Sequence, residues 1–141
     1  MNPTVAPSKT YWFIIPLSGG SVRYLVLRAC AWLIASAALI MTIVPPGFRP
    51  VTGFPHLFEH LSWFFVCGIA FGAAYPKAAP LNLYIGGVAF CAVLEIMQLW
   101  IPGRHARLSD FLADAVAITL GLSLLRVLQA FRSRTRPVLS E

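Results

Sequence analysis

Leu81–Ile101, LNLYIGGVAFCAVLEIMQLWI, runs 21 residues with a single charged side chain, Glu95. At 1.5 Å per residue a helix of that length spans roughly 30 Å, the thickness of a bilayer hydrocarbon core. Three more stretches have the same character: about Val22–Val44, Leu57–Tyr75 and Leu108–Ala130. Together they take up most of a 141-residue chain that is 58% hydrophobic and only 11% charged. Soluble domains carry about 25% charged residues. The expected fold class is therefore all-α: an integral membrane four-helix bundle, with no room for a separate soluble domain.

Working outward, residues 1–21 read as an irregular cytoplasmic or interfacial lead, with Tyr11-Trp12-Phe13 at the interface and Pro16 and Gly19-Gly20 against a regular element. Residues 22–130 form the membrane domain, and 131–141 a basic cytoplasmic tail. The short apolar run Tyr11–Leu17 lacks the basic region and small-residue cleavage site of a signal peptide. Cys30, Cys67 and Cys91 all fall inside spans, where they are expected to pack as small buried hydrophobes without a disulfide.

The net charge of +6 reads as membrane topology rather than as affinity for nucleic acid. With both termini cytoplasmic, eight of the eleven basic residues lie inside: Lys9, Arg23, Arg28, Lys77, Arg126, Arg132, Arg134 and Arg136. Arg49, Arg104 and Arg107 are left outside. This orientation puts His56, Glu59 and His60 at the outer start of span 2. Glu95 and Gln98 fall near the outer end of span 3, and His105 in the next loop. Asp110 and Asp114 open span 4. Ionisable groups in a span face the bundle interior or a cavity, and residues three or four apart share a helix face. Three helices can thus aim polar faces at one outer-leaflet pocket.

Gly68-x-x-x-Gly72 and the series Ala113, Ala117, Gly121 supply small residues at the spacing that lets membrane helices approach closely. In the loop Ile101–Arg107, Pro102-Gly103 turns the chain. Ser109 is placed to cap span 4, and Asp110 to complement its dipole. Arg104 and Arg107 either pair with Glu95, Asp110 or Asp114, or capture an anion such as a lipid phosphate. Glu95 with Gln98 reads as a ligand-binding or proton-handling pair, or as an interhelical hydrogen-bond network with His60 or Arg104. The C-terminal arginines read as a topology anchor on anionic lipid.

His60 opening a span, Glu95-x-x-Gln98 ending the next, Pro102-Gly103-Arg104, Ser109-Asp110 and a small-residue helix to Gly121 together resemble the VanZ-like family of small bacterial membrane proteins. The likeness runs from about Phe54 to Leu125. It departs at His56-Leu57, where the family has an Asp-Lys pair, at Asp114 in place of asparagine, and at Ala117 in place of glycine. The resemblance implies a multi-pass protein of the bacterial cytoplasmic (inner) membrane and the cell envelope. It also implies a link to glycopeptide (teicoplanin) resistance, without supplying a reaction.

Three functions follow as expectations. In the first, a non-enzymatic protein binds membrane lipids or an anionic lipid-linked cell-wall precursor. Arg104 and Arg107 meet the phosphate, while His60, Glu95, Gln98, Asp110 and Asp114 complete the polar cluster. In the second, an intramembrane hydrolase uses His60 and Glu95. In the third, the cluster only assembles the bundle. No cofactor is implied. The pattern His56-x-x-Glu59-His60 has the spacing of a zinc motif, with His56, His60 and Glu95 as the conceivable ligands. The family likeness supports only His60.

Overall fold

In the computed structural model, residues 19–48 and 53–134 are described; the expected placement of Tyr11–Phe13, Arg49 and Arg136 lies outside them. Four helices follow one another: α1 (Gly19–Ile43), α2 (His56–Ala74), α3 (Pro80–Gln98) and α4 (Leu108–Arg134), with a short 3-10 turn at Pro46–Phe48 between α1 and α2. Each is long and apolar enough to cross a membrane. The described residues are thus all-helical, with four helices of transmembrane character.

The helix bounds differ from the sequence expectation where local chemistry intervenes. Gly19 and Gly20 belong to α1 instead of to the lead. α3 stops at Gln98, because the amides of Leu99, Trp100 and Ile101 bond three residues back, to Ile96, Met97 and Gln98, and tighten into the Pro102-Gly103 turn. Gly103 takes φ 79°, which glycine adopts without a Cβ penalty. Past the apolar run, α4 continues to Arg134, into the segment expected as tail.

The packing order follows from residue size. α2 and α4 form the most extensive interface, α1 touches α2 and α3, and α3 touches α4, so the order around the bundle is α1, α2, α4, α3. Gly68 and Gly121 bring α2 and α4 into backbone contact. A Cβ on Gly68 would collide with the Ile118 carbonyl and lie 2.9 Å from the Leu122 amide nitrogen. One on Gly121 would collide with the Phe65 carbonyl and lie 3.1 Å from the Ile69 amide nitrogen. The small-residue stripes in both helices serve that approach. The interior is built largely from small side chains, Ala31, Ala35, Ala38, Cys67, Ala74, Cys91 and Ala117, while Leu33, Ile85, Val93, Val116 and Leu120 are exposed. This reverses the soluble pattern, in which large apolar side chains fill the interior. Cys67 and Cys91 are buried as expected, but Cys30 is exposed, because it falls on the outer face of α1.

The chain alternates direction, and each end has its own fastening. At the end formed by the α2–α3 turn, Arg126 of α4 donates to the carbonyls of Pro76 (2.9 Å) and Ala78 (3.0 Å). Trp32 Nε1 donates to the Tyr75 hydroxyl at 2.9 Å, tying α1 to the same turn. The opposite end collects the polar residues.

Candidate functional site

Of the described residues, the buried polar or charged side chains are Thr42, Glu95, Gln98 and Asp114, and all four lie toward the end where α1 and α3 finish and α2 and α4 begin. A buried ionisable group without partners carries a heavy desolvation cost, so the partners explain the arrangement.

His60, in the second turn of α2, points its Nδ1 at Asp114 of α4, 3.0 Å from Oδ1 and 3.1 Å from Oδ2. Asp114 is only 3% exposed. The carboxylate accepts the Nδ1–H, which fixes the ring's orientation and presents Nε2 as the second nitrogen. His56 lies against His60 in a tilted arrangement with ring centroids 4.3 Å apart, and Phe64 follows on the same face at 6.3 Å. The i, i+4 spacing in α2 thus builds a column of rings leading to Asp114.

Glu95 sits one turn before the end of α3, and its Oε1 accepts the backbone N–H of Arg107. That N–H belongs to the residue just before α4, whose own carbonyl accepts from Asp110 (3.0 Å) and Phe111 (3.2 Å). Glu95 therefore anchors the start of α4 to the end of α3. Gln98 is buried three residues on, on the same face. Ser109 is not the cap: it lies within the first turn of α4, and its hydroxyl donates to Asp110 Oδ1 at 3.2 Å. Asp110 and Asp114 share a face by spacing but have different bonds: Asp110 accepts from Ser109, and Asp114 meets His60 of α2.

Arg104 also meets acceptors that its sequence neighbourhood does not point to. Its Nη2 donates to the carbonyls of Met41 and Val44, the latter at 2.7 Å. These are terminal carbonyls of α1, left without an intrahelical partner, at the negative end of the helix dipole. Arg104 closes the bundle by capping a helix from a loop some sixty residues away. Arg107 is exposed, as is His105 two residues before it.

The structure thus brings together His60 with Asp114, Glu95 with Arg107, and Arg104 with α1. Among the described residues, no three His, Cys, Asp or Glu side chains are grouped so as to hold a metal ion. Of the conceivable zinc ligands, Glu95 Oε1 is directed to the α4 start and His60 Nδ1 to Asp114. A carboxylate-oriented imidazole has the form of a positioned general base. Glu95 does not share that pair.

Sequence reasoning missed the α1 carbonyls as a target, because a backbone acceptor has no letter. It also read Arg126 only as a topology charge, although an arginine four residues inside an apolar run has to reach polar atoms.

No family model matches the chain, and neither the curated proteins nor the solved structures gave a match.

Proposed function

We propose that the chain is a VanZ-like, multi-pass protein of the bacterial inner membrane that recognises an anionic envelope lipid or lipid-linked cell-wall precursor without catalysing a reaction. Arg107 is the contact residue. The observation that carries this reading is its position: an exposed guanidinium on a backbone held from beneath by buried Glu95. Such a mount fixes the backbone from which the guanidinium extends, and the planar fork of that group matches a phosphate. Exposed His105 adds a second donor. His60, Glu95, Gln98, Asp110 and Asp114 belong to the platform, and Arg104 supports it by closing α1. A link to glycopeptide resistance would follow if the bound component is the precursor that such antibiotics sequester.

The mutual pairing of the polar residues favours one second reading, in which the cluster only assembles the bundle. Two arginine variants separate the readings. Arg107→Gln is expected to leave thermal stability unchanged while weakening retention of undecaprenyl phosphate in native mass spectrometry about fivefold, the effect of one surface arginine on an anionic lipid. Arg104→Met is expected to lower stability, since it strips donors from the α1 carbonyls. Unchanged retention in Arg107→Gln would leave the assembly reading standing alone.

A further inference from the structure

The end away from the histidines holds two adjoining cavities that the polar cluster does not use. One, of about 160 Å³, is lined by Tyr24, Arg28, Tyr75, Pro76, Lys77 and Ala78. The other, of about 340 Å³, lies between α1 and α3, with Trp32, Phe71, Tyr75, Gly86, Phe90 and Leu122 in its walls. Tyr75 is common to both. Its ring carries Arg28 at 5.1 Å on one side, and its hydroxyl accepts from Trp32 on the other. A basic lip and an apolar recess therefore meet at a single side chain held in place by two neighbours.

We propose that these cavities form one site for an anionic phospholipid, with Arg28 and Lys77 on the phosphate and an acyl chain in the α1–α3 groove. Charge complementarity selects the head group. The acids of the described residues, Glu59, Glu95, Asp110 and Asp114, all lie at the opposite end, so Arg28 and Lys77 face no carboxylate there. A third guanidinium, that of Arg126, sits behind the lip on the carbonyls of Pro76 and Ala78 and adds to the local potential. The groove selects the chain. From Asn82 to Phe90 it follows α3 for eight helical steps, about 12 Å at the helical rise. It is hollowed by glycine: a Cβ on Gly86 would meet nothing within 4 Å. Small side chains on α3 at this level leave α1 and α3 in lighter contact than the other neighbouring pairs.

The site shares no residue with the polar end, so it stands or falls independently of Arg107. The test uses full-length protein in detergent micelles, incubated with phosphatidylglycerol or phosphatidylcholine and read by native mass spectrometry. Wild type is expected to retain phosphatidylglycerol preferentially. Arg28→Gln with Lys77→Gln is expected to reduce that retention roughly thirtyfold, the product of two surface charges near a lipid phosphate. Gly86→Leu, which projects into open space, is expected to abolish retention of both lipids while the protein melts as wild type does. Arg107→Gln is expected to change neither. Equal retention of the two lipids by wild type would overturn the proposal. So would phosphatidylglycerol retention that survives the Arg28/Lys77 pair of substitutions, whatever Gly86→Leu does.

Discussion

Gly121→Ala is expected to destabilise the protein strongly, as is Gly68→Ala. At Gly121 the new Cβ would run into the Phe65 carbonyl and crowd the Ile69 nitrogen. Both are backbone atoms of α2 and cannot rotate away as a side chain would. The two helices must separate, and the contact at Gly68, against Ile118 and Leu122, opens with them. Overpacking a close-packed interior costs about 1–3 kcal/mol where side chains can yield; here the upper part of that range is the minimum. The measurement is recovery of monodisperse protein in detergent together with its melting temperature. A sharp loss in Gly121→Ala, set against wild-type behaviour in Gly86→Ala, is the expected pattern. Equal melting of the two variants would mean that α2 and α4 do not meet through these glycines.

Asp114→Ala comes second. It removes the acceptor that holds His60 Nδ1 and leaves the imidazole N–H at a half-buried position without that partner. The loss of a partner to a buried polar group costs about 1–3 kcal/mol. Asp114→Asn is expected to cost less, because an amide oxygen can still accept from Nδ1. His60→Ala should become less harmful once Asp114 is already alanine. Interhelical hydrogen bonds in membranes couple by about 0.6 kcal/mol on average and up to about 1.7, so a double-mutant cycle should give a coupling in the upper part of that range for so buried a pair. A coupling of zero would mean that the two side chains do not act together.

The contrast between these residues and the loop arginines shows what the sequence made legible. Four helices were readable because each apolar run is close to or above the length of about 20 residues that a bilayer demands, whatever its neighbours do. Gly68 and Gly121 were readable as close-packing positions from their four-residue spacing with other small residues. The end of α3 was not: Leu99, Trp100 and Ile101 are apolar enough to continue a span, and only the tightened bonding into Pro102-Gly103 takes them out of the helix. Grouping His60, Glu95, Gln98, Arg104 and Asp114 at one end followed from alternating direction. Which atoms would pair did not, because Arg104 bonds α1 carbonyls and Glu95 accepts from a backbone amide. Backbone donors and acceptors are present at every position, so composition cannot single them out. Asp110 and Asp114 illustrate the same gap. One turn of helix separates a carboxylate bonded to its neighbouring serine from one that joins two helices.

The account rests on a four-span insertion with the histidine end outside, and site-directed labelling tests that most directly. In a background with Cys30, Cys67 and Cys91 replaced by alanine, single cysteines are placed at Gly47, Lys77 and His105, all exposed in the structure. Intact cells are then treated with a membrane-impermeant maleimide. Labelling at positions 47 and 105, with protection at 77 until the membrane is permeabilised, is the predicted result. Labelling at 77 with protection at 47 and 105 would invert the orientation and remove the outer-leaflet ligand from Arg107. Opposite behaviour at 47 and 105 would contradict the four-span bundle itself.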